Sequence, residues 1–262
     1  MRQKERLLLV LAALAVIGAL CVPAIPQDPA YHGFADGNAR FGIPNFWNVM
    51  SNLPFLLIGL AGVLEVCRGR PAILAEFRIA YLIFFAGVAL VAPGSAYYHL
   101  NPNNATLVWD RLPMTVAFMA LFAIVVAEYL SVPLGRRLLW PLLAIGIVSV
   151  FYWDFTETRG RGDLRLYGLV QFLPMALIPL ILLLFRSRFG GTAYLWAVFG
   201  AYAAAKAAEL LDEPIFRMFH PLSGHALKHL LAALGVSIFL AAIRRRSTVS
   251  PSPVCHHEKE TP

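Results

Sequence analysis

The sequence predicts an all-α membrane protein: a polytopic helical bundle with a seven-helix core and one extra N-terminal span. Of its 262 residues, 59% are hydrophobic and only 14% are charged. A soluble domain of this size would carry roughly a quarter charged residues. The apolar residues also fall in long runs of about 20, the length that crosses a bilayer as a helix. Short loops join these runs and leave no room for a soluble domain.

Eight apolar runs reach membrane-spanning length, and Pro, Gly or Asn marks many of their boundaries. They lie at residues 7–25, 45–66, 78–99, 108–130, 138–154, 166–185, 192–210 and 223–243. This pattern divides the chain into an N-terminal span with an outer loop (1–44), a seven-helix core (45–246) and a polar tail (247–262). The tail is predicted to be disordered and cytoplasmic, because its Ser, Thr, Pro and charged residues offer little to bury.

The first run has the basic start and apolar core of a signal peptide as well as those of a membrane span. Its apolar stretch is longer than a signal peptide needs, and no small-residue cleavage motif ends it. We therefore expect residues 7–25 to be retained as a span. The three cysteines, Cys21, Cys67 and Cys255, are too few and too scattered to form a disulfide framework or a thiolate zinc site.

The net charge of +7 does not indicate nucleic-acid binding, because the basic residues form short clusters between apolar runs and no basic face. Loops on one side of the membrane contain most of them: Arg2, Lys4, Arg6, Arg68, Arg70, Arg78, Arg136, Arg137, Arg186, Arg188, Arg244, Arg245, Arg246 and Lys259. Loops on the other side mix basic and acidic residues. The positive-inside rule therefore predicts that both termini are cytoplasmic. The short loops favour a bacterial inner membrane.

Five polar side chains share the non-cytoplasmic end of this predicted bundle. Ser95 and His99 end the third span, Asp110 begins the fourth, and His225 and His229 begin the eighth. Ionisable groups at membrane depth are costly and mark functional sites. Residues four apart share a helix face, and three imidazoles leave a fourth position on zinc free for a water molecule of lowered pKa. The carboxylate can accept the proton of that water and the hydroxyl can stabilise an oxyanion.

Each of these residues alone has an ordinary structural explanation. Asp110 can pair with Arg111 or cap its helix, and Ser95 is a typical small packing residue between membrane helices. Two tyrosines, Tyr98 and Tyr167, are candidates for substrate binding, although aromatic packing explains them equally well. The specific signal is therefore the convergence of several polar groups, not any single residue.

Other polar residues carry weaker signals. An acidic cluster near the last loop, Glu209, Asp212 and Glu213, is compatible with cation binding, but a solvated loop is the more ordinary interpretation. The outer-loop histidines His32 and His220 are spare candidates for the metal site. Two further histidines in the tail, His256 and His257, have no partner in the predicted constellation.

Four sequence runs resemble the alkaline ceramidase family: NFWNVMSN at 45–52, GSAYYH at 94–99, DRLP at 110–113 and GHALKH at 224–229. That family belongs to a superfamily of seven-span membrane hydrolases that also includes adiponectin-type receptors. The likeness extends over roughly residues 45–243. It implies zinc bound by His99, His225 and His229, with Ser95 and Asp110 beside the metal-bound water. The implied reaction is hydrolysis of a ceramide-like lipid from the membrane to a fatty acid and a sphingoid base.

The sequence departs from this family in two places. Span 7–25 precedes the family's first motif and looks like an addition to the seven-helix core. Eukaryotic members also carry an acidic calcium site that ends in a Glu where this chain has Asn45. Asp36 and Asn38 lie nearby, but the full set of calcium ligands is not evident. The resemblance therefore implies zinc more strongly than calcium.

Three other functions remain open at this stage. One is a zinc hydrolase acting on a different lipid amide or ester, and another is a zinc-containing receptor or scaffold without hydrolase activity. The third is bis-histidine haem binding, with His99 facing His225 or His229. Ser95 and Asp110 have no role in a closed structural metal site or a haem site, so they favour the hydrolase. The sequence identifies no protein partner.

Overall fold

The computed structural model describes residues 3–69 and 72–248, and within them it is helical apart from loops and two isolated bridges. The helices are α1 (Gln3–Cys21), α2 (Phe46–Met50), α3 (Leu53–Arg68), α4 (Arg78–Leu100), α5 (Asn104–Tyr129), α6 (Val132–Thr158), α7 (Arg165–Leu184), α8 (Thr192–Leu210), α9 (Asp212–Phe219) and α10 (Gly224–Arg245). The predicted all-α class is confirmed. Most of the predicted tail, including His256 and His257, lies outside the described residues.

Each predicted span corresponds to a helix, and the second is built from α2 and α3 together. Six of these segments in the described ranges are long and apolar enough to cross a membrane: Phe46–Arg68, Ala75–Leu100, Asn104–Tyr129, Val132–Thr158, Arg165–Leu184 and Gly224–Arg245. The polytopic membrane class is therefore confirmed. The remaining two, α1 and α8, carry charged residues: α1 begins with Lys4, Glu5 and Arg6, and α8 contains Lys206 and Glu209 near its end.

The long helices form a closed ring in which neighbours in the chain are neighbours in space. Contacts run from α3 through α4, α5, α6, α7 and α8 to α10, and α10 returns to α3. Helix α5 is the most buried of the candidate spans. Helix α1 packs on the outside of this ring against α7. The extra N-terminal helix is thus an addition to a seven-helix core. Helices α5 and α10 begin at the same end of the bundle, and we call this end the site end.

Side-chain caps fix where the two helices that begin at the site end start. The side chain of Asn103 accepts a hydrogen bond from the backbone of Thr106 at 3.0 Å, and the Thr106 hydroxyl accepts one from the Asn103 backbone at 3.2 Å. At the start of α10, Ser223 accepts from the backbone of Ala226 at 3.1 Å. Such caps satisfy backbone N–H groups that have no partner within the helix.

A buried ion pair joins three helices at the opposite end. Arg246, just after α10, donates to Glu128 of α5 at 2.8 Å, and Tyr81 of α4 also donates to this carboxylate. The Arg246 Nε atom donates to the backbone oxygen of Ala72 at 2.8 Å. Both charged side chains are almost fully excluded from solvent, at 4% and 1% exposure. Removing one partner of such a pair typically costs about 3–5 kcal/mol, because the other charge stays buried and unpaired.

Residues 22–45, which we call the crossing segment, connect α1 to α2 across the site end. Arg165 Nη1 donates to the backbone oxygen of Val22 at 2.7 Å, and the backbone of Leu164 donates to that of Ile25 at 2.8 Å. The same arginine pairs with Asp163 at 2.7 Å and lowers the pKa of that carboxyl to about 2. The anchor is therefore ionised at neutral pH, and the crossing segment is held to the loop between α6 and α7.

Candidate metal centre and lipid cavity

Three buried histidines from two helices converge at the site end. His99 lies in the last turn of α4, and His225 and His229 lie in the first two turns of α10. One ring nitrogen from each lies within 4.8 Å of the others, and the ring centroids are 4.9–5.1 Å apart. Within the described ranges, this is the one group of three or more His, Cys, Asp or Glu side chains that could hold a metal ion.

The hydrogen bonding of these imidazoles leaves nitrogen atoms free for a metal. Both ring nitrogens of His99 and the Nε2 atom of His225 are buried and have no hydrogen-bond partner among the described residues. His229 contacts the Ser51 hydroxyl through Nδ1 at 2.8 Å. Ser51 in turn donates to the backbone oxygen of Asn48 at 3.2 Å. Because buried polar atoms are normally satisfied, the orphaned nitrogens fit a bound divalent cation.

Ser95 and Asp110 lie beside this centre and next to each other. Their proximity depends on Gly94, which lies against the backbone of α5. A Cβ atom at position 94 would lie 2.2 Å from the carbonyl oxygen of Trp109. Only a residue without a side chain allows α4 and α5 to approach this closely. The glycine of the GSAYYH run thus brings the serine of one helix to the aspartate of the next.

An apolar cavity of about 190 Å³ begins at these residues and extends into the bundle. Its polar end is lined by Ser95, Asp110 and His229, and its walls continue along α5 as far as Val125. At 1.5 Å of rise per helical residue, the distance from Asp110 to Val125 is about 20 Å. Aromatic and aliphatic side chains dominate the walls. A long hydrocarbon chain with a polar group at one end matches this shape and polarity.

The crossing segment covers the metal centre. The ring of Phe34 packs against His99 and His225, with ring centroids 4.7 and 4.5 Å apart. Asp212, the first residue of α9, accepts hydrogen bonds from the backbone of Ala35 at 2.9 Å and from that of His225 at 2.6 Å. One carboxylate therefore holds both the cover and the start of the helix that supplies two of the three histidines.

A comparison with protein families supports the resemblance drawn from the sequence. A family model described as Ceramidase matches residues 41–188, more than half of the chain. The chain belongs to the ceramidase family. Among curated proteins, none matches it. The family match includes Ser95, His99 and Asp110 and ends before His225 and His229. For the last two histidines, it is the fold that places them against His99.

Two candidate residues of this ceramidase-family chain occupy different environments. Tyr167 lines the cavity. Tyr98 is buried outside the cavity wall, and its hydroxyl lies 2.9 Å from Nδ1 of His32. The other ring nitrogen of His32 lies 2.9 Å from the side-chain oxygen of Asn104. Of the spare histidines, His32 therefore connects the crossing segment to α4 and α5, and His220 packs against Phe216. Neither belongs to the metal centre.

Arg111 does not pair with Asp110. Its guanidinium lies over the rings of Trp153 and Tyr167, at 4.1 and 4.5 Å from their centroids, and donates to the side chain of Gln27 at 2.6 Å. Cation–π contacts of this kind are strongest where water is excluded. The Asp110–Arg111 ion pair, which would have explained Asp110 as a purely structural residue, is therefore absent from the described residues.

The acidic cluster near the last loop separates into three environments. Glu209 lies in the cavity wall, Asp212 bonds to two backbone amides, and Glu213 pairs with Arg217 at 2.7 Å on the surface. The three do not form a joint cation site or a uniformly solvated loop, because Glu209 belongs to α8 and Asp212 and Glu213 begin α9, each with its own partners.

The structure also shows the surroundings of Asp36, near which the family's calcium site would lie. Asp36 is fully buried, and one of its carboxylate oxygens accepts hydrogen bonds from the backbone and side chain of Asn38 at 3.1 and 2.8 Å. Asn45 donates its side-chain amide to the backbone oxygen of His99 at 2.8 Å. The other carboxylate oxygen of Asp36 is buried and has no hydrogen-bond partner among the described residues. Within those ranges, no group of three His, Cys, Asp or Glu side chains that could hold a metal includes Asp36.

Sequence reasoning missed several residues of this site. Phe34 and Asp212 reach it only because of how the crossing segment and α9 fold, and neither shows a periodic pattern. Ser51 belongs to the NFWNVMSN run, so the resemblance contained a signal for it. A search for hydroxyl groups able to support a metal-bound imidazole would have found it.

Proposed function

We propose that this chain is a zinc-dependent membrane hydrolase that cleaves the amide bond of ceramide-like N-acyl lipids, giving a fatty acid and a sphingoid base. The observation that carries the proposal is the convergence of three buried histidines with Ser95 and Asp110 at the polar end of a long apolar cavity. Family membership supports the same reaction class. The apolar lining of the cavity suits the hydrocarbon part of a lipid substrate.

The donor set suits zinc. His99, His225 and His229 would hold the ion through one imidazole nitrogen each, and three protein ligands are typical of catalytic zinc. Bound zinc supplies Lewis acidity, which polarises a carbonyl group and lowers the pKa of a water molecule. Nitrogen ligands also favour zinc over calcium or magnesium, which prefer oxygen.

The protein's own groups then have distinct tasks. The cavity walls hold the hydrocarbon part of the lipid, so that the amide lies beside Ser95 and Asp110. Asp110 accepts a proton from the attacking water as its oxygen bonds to the acyl carbon. Ser95 donates a hydrogen bond to the carbonyl oxygen, which gains negative charge. Asp110 then gives the proton to the leaving nitrogen as the C–N bond breaks. Phe34 limits the access of bulk water.

We further propose that the site end faces the non-cytoplasmic side of a bacterial inner membrane, with both termini in the cytoplasm. The support is the distribution of arginine and lysine: the loops at the opposite end carry most of the basic residues. In this orientation the enzyme would act on lipids of the outer leaflet. Residues 1–44, 45–246 and 247–262 would serve as added span and outer loop, catalytic core and cytoplasmic tail.

The geometry disfavours haem. A bis-histidine haem needs a porphyrin-wide slot between two imidazoles, yet the rings of His99 and His225 contact each other, with centroids 4.9 Å apart. Phe34 packs on both rings. A receptor or scaffold with a structural zinc ion would use the same three histidines but would not require Ser95 and Asp110 beside them.

Zinc content and lipid turnover, measured together, test the proposal. We expect about one zinc per purified chain by elemental mass spectrometry, and release of fatty acid from ceramide. The variant His225→Ala should lose both zinc and activity, because two imidazoles bind the ion too weakly. Ser95→Ala should keep its zinc and lose about 100-fold in turnover, the typical cost of one oxyanion donor.

Each contrary result points to a different error. A wild-type chain without zinc, purified without chelators, would refute the metal site. Zinc in the wild type together with full turnover in Ser95→Ala would refute the assigned role of the serine. A zinc-loaded chain that releases fatty acid from no lipid amide would favour a receptor or scaffold.

A further inference from the structure

One charged cluster interrupts the apolar wall of the cavity. Lys206 and Glu209 lie in the last turns of α8, and Lys228 lies on α10 between two of the metal-centre histidines. Lys228 Nζ donates to Oε1 of Glu209 at 2.8 Å, and Lys206 donates to Oε2 of the same carboxylate. All three line the cavity together with Ser95, Asp110 and His229. We call them the Lys–Glu–Lys cluster.

The cluster contains one more positive charge than a structural bridge needs. A single lysine would neutralise Glu209 and join α8 to α10, but two ammonium groups share this one carboxylate. An uncompensated charge beside hydrocarbon is costly. Each ammonium has three N–H donors, and the structure gives each one hydrogen bond, to Glu209. The other acid in the cavity wall, Asp110, makes no ion pair with either lysine within the described ranges, where both lysines pair with Glu209.

We infer that the Lys–Glu–Lys cluster binds a negatively charged group, a phosphate or a carboxylate, on the polar end of the lipid substrate. This inference rests on the proposed function and narrows its substrate class. The enzyme would prefer anionic N-acyl lipids to neutral ceramide. An anionic head group supplies the negative counter-charge for the second lysine. It also accepts hydrogen bonds from N–H donors that have no protein partner.

The position of the cluster agrees with such a substrate. It lies at the site end, at the level of the metal centre, whereas the walls beyond it along α5 and α10 are apolar. A lipid whose hydrocarbon chain points towards Val125 would therefore keep its amide at the metal centre and its polar group near Lys206 and Lys228. A neutral head group would leave the excess charge without a counter-ion.

A charge series tests the inference. Lys206→Met leaves the Lys228–Glu209 pair intact and removes the excess charge, and Glu209→Gln increases the excess by one with little change in shape. The substrates are N-acyl lipids of one chain length that end in a hydroxyl, a phosphate monoester or a carboxylate. All are presented in non-ionic micelles, so that the micelle surface carries no charge.

We expect the ratio of kcat/KM for the phosphate lipid over the hydroxyl lipid to exceed one in the wild type. It should fall about tenfold in Lys206→Met and rise in Glu209→Gln, because the attraction changes by one unit charge at short range. The carboxylate lipid distinguishes the two candidate anions. The matched control is Arg217→Gln, which removes a cation from an exposed ion pair at the site end and should leave the ratio unchanged.

A binding measurement separates this inference from the proposed function. The same lipids are titrated into zinc-loaded Ser95→Ala, alone and combined with each charge variant, so that turnover is not required. Anionic preference that follows the series, with no hydrolysis by the wild type, would support the anion site and refute the hydrolase. Hydrolysis of both lipids with a constant ratio near one would refute the anion site and leave the hydrolase standing. Because the variants shift the ratio in opposite directions, either alone decides if the other fails to fold.

Discussion

At the scale of single residues, the Ser51 hydroxyl engages Nδ1 of His229 at 2.8 Å and leaves the other ring nitrogen for a metal. When the hydroxyl donates to the backbone oxygen of Asn48, its oxygen accepts the Nδ1 proton of the imidazole. The lone pair of Nε2 is then free for zinc. Hydrogen-bond partners of this kind fix the tautomer and orientation of metal ligands. Ser51 is thus a positioning residue, one step removed from the metal.

We expect Ser51→Ala to weaken zinc binding by about 10–100-fold, the usual cost of losing such a support. Activity should recover at higher zinc concentration, since the three ligands themselves are intact. Zinc titration by competition with a chelating dye measures the affinity. Ser237→Ala serves as control, because that exposed hydroxyl only bonds within α10. An unchanged zinc affinity would refute this role.

Sequence alone could identify the polar residues of the site but not what surrounds them. The types and spacing of Ser95, His99 and Asp110 indicate chemistry at one end of adjacent helices, and the fold brings them together. Phe34 could not be predicted, since its contact with His99 depends on the course of an irregular segment. The partners of Arg111 were equally hidden, because a cage of aromatic rings and Gln27 comes from three separate parts of the chain.

At the scale of elements, the contact between α4 and α5 depends on one glycine at the level of the site. The backbones approach at Gly94 so closely that no side chain fits between them. Ser95 follows Gly94 in α4, and Asp110 follows Trp109 in α5. The close packing of the two backbones therefore sets the positions of both side chains. This arrangement is rigid, because main-chain atoms cannot move aside as a flexible side chain can.

We expect Gly94→Ala to lower turnover at least tenfold while zinc remains bound. The added methyl group must push α5 away from α4, which moves Asp110 relative to Ser95, and such overpacking costs about 1–3 kcal/mol of stability. Thermal unfolding and turnover are measured together. Gly200→Ala is the matched control, since a Cβ atom there meets nothing within 4 Å. Equal turnover in wild type and Gly94→Ala would contradict the argument.

The helices themselves were largely predictable, because apolar runs are long and the loops are short. The prediction was least accurate for α6, expected at 138–154 and observed at Val132–Thr158. Charged residues at both ends of that helix, among them Arg136 and Glu157, shorten the apolar run without ending the helix. Helix α9 was missed, since its eight residues are mixed in polarity.

At the scale of the whole molecule, the chain combines a ring of seven helices with an N-terminal attachment that reaches back over the site. Helix α1 packs on α7, and the crossing segment is held by backbone bonds to the α6–α7 loop and by Asp212 of α9. The apolar runs and the family resemblance predicted the extra N-terminal helix. They could not predict the path of the crossing segment, because that segment has no hydrophobic period and its position depends on hydrogen bonds to distant residues.

Reporter fusions test the proposed orientation. We expect a fusion after Arg246 to be fluorescent and phosphatase-inactive, as for a cytoplasmic position, and a fusion in the loop at residues 101–103 to show the reverse. The reason is the excess of arginine and lysine at the end opposite the site. A periplasmic signal after Arg246 would overturn the proposed eight-span topology, and the second fusion checks that both reporters fold.

The buried Arg246–Glu128 pair lies just beyond the end of the cavity that is farthest from the metal centre. Glu128 lies one helical turn beyond Val125, the last α5 residue that lines the cavity, so a chain entering from the metal centre meets packed, charge-paired protein at that depth. The cavity would therefore accept acyl tails up to a fixed length. A longer tail would keep the amide from reaching the metal. The released fatty acid would have to leave by the route through which the substrate entered or sideways between helices. The ion pair that joins three helices would thus also limit the length of the acyl chain that the enzyme accepts.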